Sequence, residues 1–346
     1  MTDARQNSSS KKKSSAAKSY ANIRDIARLA GVSTATVSRV INHPEKCSPD
    51  TIARVRAIID EKGYIPNDAV SQIISGSSRT LAVFVFDIHN PFYTQLTQAL
   101  NRICLRNQYT LLICDTANDP EVEAAYLKSC LAKRCEGLII TEGLTTDLYS
   151  NLPMPSVILD RRDDTPGART IASENYQGVR EAVDYLYDLG HRRIGFVGTA
   201  NDFQSVKMRR EAYLDGLAAH GIPVREDYVF SLNLGLTPRL GQAAIRAFHN
   251  LPDPPTAVIC ANDMVALGLM NEAFRLKISV PEDLSVIGFD KIAEDLTSVV
   301  ITTIRQDIDT LAQAIFDSLV HPTPENCHQT IPTTFVEGQT CGKPRT

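Results

Sequence analysis

Side chains that can bind a polyhydroxyl ligand follow four short apolar runs of this chain. A carboxylate follows each of LAVFVF, PSVIL and LSVIGF, and an amide lies just after TAVIC; these residues are Asp87, Asp160, Asp290 and Asn262. A hydroxyl can donate to a carboxylate and accept from an amide or an arginine, and Phe92 and Tyr93 can cover an apolar sugar face. One such residue alone is equally compatible with strand-end capping or a salt bridge, but four together favour a binding site.

The apolar runs alternate with helical patterns, which indicates parallel sheet covered on both faces. Helices are predicted at about 91–106, 120–134, 205–220 and 263–277, and further strands at YTLLIC, GLIIT and RRIGFVG. About 260 residues of this pattern exceed the usual size of one sheet. We therefore predict an α/β core of two doubly wound parallel-sheet lobes, in which ligands bind beyond the carboxyl ends of the strands.

A second candidate site lies near the beginning of the chain, in NIRDIARLAGVSTATVSRVIN at residues 22–42. Small Ala27, turn residue Gly31 and the surrounding apolar residues have the spacing of a helix-turn-helix. Gly31 can take the positive φ of the turn, and Ser33 can cap the second helix. The exposed face of that helix is small or hydrogen-bonding and suits a DNA major groove; it comprises Thr34, Ala35, Thr36, Ser38, Arg39 and Asn42. An ordinary helical hairpin is the alternative.

Charge is divided unevenly along the chain. Residues 1–66 contain 12 Lys/Arg and 6 Asp/Glu, a net +6, whereas the remainder carries 24 and 34, a net −10. A basic amino-terminal module on an acidic body is typical of nucleic-acid binding through one end, although chance clustering of surface lysines gives the same pattern. A third helix is predicted from the Ser48-Pro49-Asp50 start signal to Gly63, which completes an all-α domain.

Other features limit the class of protein. Residues 1–19 are predicted to be a disordered tail, and the linker after Tyr64 contains a short helix that needs a partner to fold. Eight scattered cysteines without CxxC or zinc spacing predict reduced thiols in the cytoplasm, with no metal and no cofactor. No apolar run approaches the roughly 18 residues of a membrane helix, and no secretory signal is recognisable.

In its motifs the chain resembles the lactose-repressor/galactose-repressor family of bacterial transcription regulators. The motifs are NIRDIARLAGVSTATVSRVIN, GYIPN, DIHNPFY, LGHRRIGFVG, ICANDMVALG and VPEDLSVIGFD, in family order over residues 20–340. The resemblance implies a homodimer, sometimes a tetramer, on a pseudo-palindromic operator DNA. It also implies a periplasmic-binding-protein-like core that holds a small effector between its lobes. No long heptad pattern follows Cys341, which favours the dimer.

The resemblance implies roles for residues of the amino-terminal part. Thr34, Ala35 and Arg39 match base-reading positions, and an arginine can bond O6 and N7 of guanine. Phosphate-contacting positions, which set register, match Asn22, Ser33, Thr36, Ser38 and Asn42. A hinge helix, beginning near Asn67, is expected to fold on the operator and to wedge a side chain into the minor groove. Ile73 stands where the family has leucine, and Ser71 where it commonly has arginine or glutamine.

In the core, the resemblance implies effector contacts for Asp87, Phe92, Asp160, Arg209, Asn262 and Asp290, to which the residue chemistry adds Tyr93. Three positions depart from the family: Ala212 replaces a usual glycine, Lys291 a common acid and Glu337 a frequent arginine. The identity of the effector therefore does not follow from the family resemblance. From the polar cleft itself we predict a sugar, sugar phosphate or sugar acid.

Together these patterns predict a transcription repressor with an allosteric, carbohydrate-type effector, and not an enzyme. The predicted domains are 20–66 for DNA binding, 67–78 for hinge and linker, and 79–346 for the effector-binding and dimerisation core. Its N-lobe is predicted at about 79–172 and 306–330, and its C-lobe at about 173–305 and 331–341. A transport sugar-binding protein fits the core but not the helix-turn-helix. An enzyme fits the fold, but GxGxxG, GxxxxGK[ST] and GxSxG are lacking, and only Asp160 with Asp290 imitates a glycosidase pair.

Overall fold

The structure is a computed structural model that describes residues 21–64, 77–141, 149, 152–160, 169–200, 203–292 and 296–345. The chain divides into two compact units, Met1–Ser77 and Ser78–Thr346. The predicted tail lies outside the described residues, and so do Asn67, Ser71 and Ile73 of the predicted hinge.

The first unit contains three helices, α1 (Ile23–Ala30), α2 (Thr34–Asn42) and α3 (Pro49–Lys62). Ser48 caps α3 and Gly63 ends it in the left-handed conformation, as the sequence predicted. The shared core is small and consists of Ile26, Ala27, Ala30, Val37, Val40, Val55 and Tyr64. Val32, an apolar residue of the helix-turn-helix segment, is only half-buried, because a domain of this size has little interior.

The turn between α1 and α2 confirms the predicted helix-turn-helix geometry. Gly31 has φ 64°, a conformation that favours glycine. The amide of Val32 donates to the carbonyl of Ala27 at 3.0 Å, which closes the end of α1. Ser33 then caps α2, since its hydroxyl oxygen accepts from the amide of Thr36 at 3.1 Å.

The second unit is an alternation of strands and helices. In chain order these are β1 (Thr80–Val85), α4 (Pro91–Arg106), β2 (Thr110–Asp115), α5 (Pro120–Ala132), β3 (Gly137–Ile140), β4 (Ser156–Leu159), β5 (Thr170–Ser173), α6 (Gln177–Asp188), β6 (Ile194–Thr199), α7 (Gln204–Ala219), β7 (Val229–Leu232), α8 (Pro238–His249), β8 (Ala257–Cys260), α9 (Asp263–Arg275), β9 (Ser285–Asp290), β10 (Thr302–Gln306), α10 (Ile308–Val320), β11 (His328–Ile331) and β12 (Thr333–Val336).

These strands form two sheets, which confirms the prediction of two doubly wound lobes. The first sheet has the order β11-β5-β4-β3-β1-β2, and the second has the order β12-β10-β9-β8-β6-β7. The expectation of purely parallel sheets was wrong for one strand, because β12 pairs antiparallel with β10. The chain leaves the second lobe at the end of β10 and re-enters it at the start of β12, so the two strands run in opposite directions, and Gln306 pairs with Thr333.

Helices cover both faces of each sheet. In the first lobe, α4 and α10 pack on one face and α5 on the other. In the second lobe, α6 and α7 share one core, and α8 and α9 share another. Strands β6 and β9 are buried along their whole length, as expected for continuous apolar runs between two helical layers. Among the described helices, none is both long enough and apolar enough to span a membrane.

The chain crosses between the two lobes three times, after β5, after β10 and after β11. The first and third crossings are bonded to each other. The amide of Glu174 donates to the carbonyl of Ile331 at 2.8 Å, and the hydroxyl of Thr333 donates to the carbonyl of Glu174 at 3.0 Å. The carboxyl ends of β5 and β11 in the first lobe therefore lead into two crossings that are bonded to each other.

Helices α8 and α9 approach so closely that their contact requires glycine. A Cβ atom on Gly241 would lie 2.0 Å from the carbonyl oxygen of Val265, and one on Gly268 would lie 2.0 Å from that of Pro238. Both obstacles are backbone atoms, so a side-chain rotation cannot relieve the overlap.

Gly268→Ala should therefore lower the free energy of unfolding by about 2–3 kcal/mol, the range of an overpacked core. Urea unfolding followed by circular dichroism measures the loss. Asn271→Ala, on the exposed side of the same helix, is the matched control and should change stability by less than about 0.5 kcal/mol. Coincident unfolding curves for the two variants would refute the close packing.

Candidate functional site

The predicted DNA-contacting residues at α2 lie on the surface of the first unit. Ser33, Thr34, Ala35, Arg39 and Asn42 are exposed, whereas Thr36 and Ser38 are half-buried. Arg39 makes no hydrogen bond or ion pair with any residue that the structure describes, so all its donors are available.

Asn22 caps α1, a structural role that the sequence analysis did not assign to it. Its side-chain oxygen caps α1 by accepting from the amides of Arg24 and Asp25, at 2.9 Å and 3.0 Å. Asp25 completes a capping box by accepting from the amide of Asn22. The side-chain amide of Asn22 is thereby held at the positive end of the helix dipole, where anions are stabilised.

The seven predicted effector residues come together around one cavity of about 530 Å³ between the two lobes of the second unit. The first lobe supplies Asp87, Phe92, Tyr93 and Asp160. The second lobe supplies Arg209, Asn262 and Asp290. The four residues at strand ends, Asp87, Asp160, Asn262 and Asp290, therefore meet at one cavity with Arg209 and the two aromatic residues, and the surroundings of each residue define the chemistry that it can perform.

Two of the carboxylates are held at the ends of strands by unusual backbone conformations. Asp160, after β4, has φ 56°, and Asp290, at the end of β9, has φ 105°. Such angles cost about 1–3 kcal/mol in non-glycine residues and persist where the surroundings enforce them. Asp160 accepts from the amide of Ser173 at 3.0 Å, and Asp290 accepts from the side-chain amide of Gln306 at 2.6 Å. Ser173 ends β5 and Gln306 ends β10, so both anchoring residues directly precede a lobe crossing.

Arg209, on α7, is the charged donor of the cavity wall and is 4% exposed. Its Nε donates to the side-chain oxygen of Asn175 at 2.8 Å, and its Nη1 donates to the carbonyl of Ala261 at 2.5 Å. Its guanidinium lies 3.5 Å from the ring centroid of Phe289, a cation–π contact. Nη2 makes no hydrogen bond with any described residue. The protein therefore orients this side chain and leaves one terminal nitrogen for a ligand.

Burial raises the pKa of both carboxyls that face this arginine. The pKa of Asp290 rises to about 8 because burial penalises its charge, and the negative charges of Asp263 and Asp160 act in the same direction. The positive charge of Arg209 and the hydrogen bond from Gln306 oppose the rise. Burial also raises the pKa of Asp160, against a backbone hydrogen bond and the charge of Arg209. At neutral pH, Asp290 thus keeps its proton and can donate as well as accept.

Asn262 joins two segments of the cavity wall. Its side-chain oxygen caps α9 by accepting from the amide of Val265 at 2.9 Å, and its amide donates to the carbonyl of Leu236 at 3.4 Å. The neighbouring Asp263 is buried and structural: it accepts from the hydroxyl of Thr303 at 2.7 Å and from the amide of Ile292 at 2.8 Å. Asp263, which was not among the predicted effector residues, does not line the cavity.

Aromatic rings form the apolar part of the cavity. Phe92 and Tyr93 meet edge to face at 5.3 Å between centroids. Phe86 of the first lobe and Phe203 of the second meet in the same way at 4.9 Å. A ligand with a flat apolar face and hydroxyl groups at its edge matches this combination of rings and polar groups.

Several lining residues were missed by sequence analysis, namely Phe86, Asn118, Phe203, Asn233 and Gln306. Asn118 lies just after β2, so the strand-end rule applied to YTLLIC would have found it. Gln306 ends β10, whose sequence TTIRQ has too few apolar residues to be recognised as a buried strand. Asn175, which orients Arg209, had no sequence signal.

The three departures from the family pattern lie off the cavity wall. Ala212 is completely buried in α7. Glu337 accepts a hydrogen bond from the hydroxyl of Tyr185 at 2.9 Å. Lys291 follows Asp290 with φ 62° but does not line the cavity. These substitutions therefore leave the described ligand-facing surface unaltered.

A two-lobed binding core and a helix-turn-helix in one chain define a class of ligand-responsive DNA-binding proteins. Residues 22–67 match the model of the bacterial regulatory proteins, lacI family, and residues 183–341 match the periplasmic binding protein-like domain. The HTH-type transcriptional repressor CytR of Escherichia coli K12 is 33% identical over 300 residues, which cover 83% of this chain and 85% of that protein. The ribose operon repressor of the same organism is 30% identical over 313 residues, covering 87% and 92%. The chain belongs to the lacI family of bacterial regulatory proteins.

Solved structures agree with this membership. The lac repressor dimer bound to operator and the anti-inducer ONPF superposes with a TM-score of 0.83 at 25% identity, covering 94% of this chain and 100% of that one. A lacI-family regulator of Enterococcus faecium with bound ribose superposes with a TM-score of 0.69 at 26% identity, covering 77% and 100%. The chain is thus a two-lobed regulator with an amino-terminal helix-turn-helix domain, as its sequence motifs predicted.

The raised pKa of Asp290 has a consequence for stability that follows from linkage. The pKa of Asp290 in the folded protein, about 8, exceeds the ordinary value of 3.8. The contribution of Asp290 to the free energy of unfolding is therefore complete below about pH 4 and is lost as the pH rises to about 8. Asp290→Asn should therefore gain stability relative to the natural protein between pH 5 and pH 8, by up to about 1.4 kcal/mol per pH unit. Urea unfolding at three pH values in this range measures the difference.

Asp307→Asn is the matched control for this pH experiment. Hydrogen bonds from the amide and hydroxyl of Thr310 lower the pKa of Asp307, so its contribution is lost only as pH falls below about 4. The stability difference between Asp307→Asn and the natural protein should be constant from pH 5 to pH 8. A constant difference for Asp290→Asn as well would contradict the proton assigned to Asp290.

Proposed function

We propose that the chain is a sequence-specific repressor that binds a pseudo-palindromic operator as a homodimer and is controlled by a carbohydrate-type effector in the cleft. The single observation that supports this best is the cavity in which Arg209, Asp160 and Asp290 converge from two lobes. The domain assignment is 20–66 for DNA reading and 79–346 for effector binding and dimerisation. The naming of relatives at 30–33% identity as repressors favours a regulator over an enzyme or a transport protein. We infer that it works in the cytoplasm, where its DNA lies.

On the DNA side, we assign base reading to Arg39 with Thr34 and Ala35. Arg39 is exposed and unengaged within the described domain, so it can offer two parallel donors to a guanine. Thr34 and Ala35 are too short for bidentate contacts and offer apolar or single contacts. We assign phosphate contacts to Asn22, Ser33, Thr36, Ser38 and Asn42, and minor-groove contacts to Asn67 and Ile73.

On the effector side, we assign the central polar contact to Arg209 through its remaining nitrogen. Asp87, Asp160, Asp290 and Asn262 accept from or donate to ligand hydroxyls, and Phe92 and Tyr93 cover an apolar face. The described wall contains one arginine and three aspartates. Among sugars, sugar phosphates and sugar acids, we therefore expect the neutral sugar to bind most tightly, because the described wall offers a single cation beside three acidic side chains to an added negative charge. The ribose in the Enterococcus faecium regulator is consistent with this class.

Control of DNA binding follows from lobe closure. Ser173 and Gln306, which donate to the cleft carboxyls, are the last residues of the strands that precede two of the lobe crossings. A ligand that pulls on Asp160 and Asp290 thereby favours one arrangement of the crossings over another. The effector shifts the equilibrium of operator binding by as much as its affinities for the two arrangements differ.

The assignment of Arg39 predicts a base-specific loss of affinity. Arg39→Ala should reduce discrimination at one base pair of each half-site by about 1–3 kcal/mol. Competition binding with single-base operator variants, chosen after binding-site selection, measures this. Arg28→Ala is the control, because Arg28 lies on α1 and pairs with Asp25 at 2.9 Å; it should leave the pattern of discrimination intact. Unchanged discrimination by Arg39→Ala at every position would refute the assignment.

The assignment of Arg209 predicts a loss of ligand affinity. Lysine cannot keep the bonds to Asn175 and Ala261 and also reach a ligand, so Arg209→Lys should weaken sugar binding at least about 30-fold, the equivalent of about 2 kcal/mol. Isothermal titration with a panel of neutral sugars, sugar phosphates and sugar acids measures it. Arg210→Lys, at the exposed neighbouring position, should bind normally. Binding of only a purine base or an amino acid would refute the effector class.

A further inference from the structure

Asn175 lies in the first crossing between the two lobes and is not part of the cavity lining. This crossing is the segment between the end of β5 at Ser173 and the start of α6 at Gln177. Asn175 is 1% exposed, so the polar atoms of its side chain need partners within the protein. The partners that the structure provides belong to different lobes.

The side-chain amide of Asn175 joins the end of the first-lobe strand β5 to the arginine of the second lobe. Its Nδ2 donates to the carbonyl of Ser173 at 2.9 Å. Its Oδ1 accepts from Nε of Arg209 at 2.8 Å. A carbonyl only accepts and a guanidinium only donates, so this orientation of the amide is the one that makes both bonds. The position therefore requires a side chain that carries an acceptor and a donor together.

The backbone beside Asn175 is anchored to the third crossing and to the start of α6. The N–H and C=O groups of Glu174 bond to the carbonyl of Ile331 and the hydroxyl of Thr333. The carboxylate of Glu174 accepts from the amide of Tyr176 at 2.9 Å. The two crossings thus set the position of Asn175, and a change in them moves the acceptor that the cleft arginine uses.

Two hydrogen bonds and one ring contact determine the orientation of Arg209. Its guanidinium is planar, so the bonds from Nε to Asn175 and from Nη1 to the carbonyl of Ala261 fix its rotation over the ring of Phe289. Without the bond at Nε, the bond to Ala261 alone lets the group rotate about that contact. Nη2, which makes no hydrogen bond with any described residue, then loses its defined position.

We propose that Asn175 is a positioning residue of the effector site, through which the first lobe crossing orients Arg209 for the ligand. A shift of the crossing that breaks the bond between Asn175 and Arg209 weakens the ligand contact. Conversely, a ligand that holds Arg209 favours the arrangement of the crossing in which this bond is made. The part of the proposal that concerns a sugar rests on the proposed function, whereas the part that concerns the orientation of Arg209 does not.

The first test needs no ligand. It measures hydrogen exchange of the Nε–H group of Arg209 in the full-length chain by NMR spectroscopy, with the signal assigned by its loss in Arg209→Lys. We expect slow exchange in the natural protein and exchange at least about tenfold faster in Asn175→Leu, which has a similar size but no acceptor. Asn175→Asp keeps an acceptor and should keep the exchange slow. Fast exchange in the natural protein, or equally slow exchange in Asn175→Leu, would overturn the proposal.

Thr333→Val is the matched control for a loosened crossing. It removes the hydrogen bond from Thr333 to the carbonyl of Glu174, but Thr333 neither lines the cavity nor bonds to Arg209. The Nε–H group of Arg209 should therefore exchange as slowly in Thr333→Val as in the natural protein. Equal acceleration in Thr333→Val and Asn175→Leu would refute a specific role of Asn175. If thermal unfolding shows that Asn175→Leu does not fold, Asn175→Ser takes its place, because serine is too short to reach the same nitrogen.

The second test measures sugar affinity by isothermal titration in a double-mutant cycle. Asn175→Leu should weaken the sugar that binds best to the natural protein by about 10- to 100-fold, the effect of losing a hydrogen bond to a charged group. In an Arg209→Lys background the same change should weaken binding by less than about twofold, because its effect passes through the arginine. Equal weakening in both backgrounds would contradict the positioning role. If no sugar binds the natural protein, the effector class fails, and the exchange measurement still decides the role of Asn175.

Discussion

The buried guanidinium of Arg209 is the interaction on which the cleft depends. A cation that is 4% exposed must be compensated, and here the compensation comes from the acceptor oxygens of Asn175 and Ala261, the ring of Phe289 and the nearby carboxyl groups of Asp160 and Asp290. Asp160 and Asp290 lie at strand ends and have positive φ angles. The energetic cost of these backbone conformations is therefore linked to the interaction of the two side chains with Arg209. Two nitrogens of Arg209, Nε and Nη1, donate to the protein, whereas Nη2 makes no hydrogen bond with any described residue.

The same constraint ties the cleft to the lobe crossings. Gln306 donates to Asp290 and accepts from the hydroxyl of Ser173, whose amide donates to Asp160. One hydrogen-bonded path thus passes through two of the three crossings and ends at both cleft carboxylates. A ligand that competes for these carboxylates acts on the segments that set the relation of the lobes. Effector control in the proposed repressor rests on this coupling, because a ligand shifts the equilibrium between two lobe arrangements only if it interacts differently with each of them.

The sequence predicted the parts of the fold that repeat a strong local pattern. The helix-turn-helix, α3 with both of its caps, and α4 at Pro91–Arg106 followed from apolar spacing, cap residues and a glycine. Four cleft residues, Asp87, Asp160, Asn262 and Asp290, followed from the rule that polar side chains after buried strands converge. Phe92 and Tyr93 followed from their ability to cover an apolar sugar face, and Arg209 followed from the family resemblance. Strands β5, β7, β10, β11 and β12 were missed because each is only four or five residues long, and all of them except β7 contain at least two polar residues. Asn175 and Gln306 were missed because their importance comes from contacts between distant segments, which a single sequence does not display.

The most direct test of the account is a reciprocal linkage measurement on the full-length chain. Operator affinity is measured with and without a saturating concentration of the sugar that binds the cleft, and sugar affinity is measured with and without the operator. The account predicts that both affinities change by the same factor, about 5- to 150-fold. A sugar that binds the cleft but leaves operator affinity unchanged would contradict the central claim, because the cleft would then be uncoupled from DNA binding.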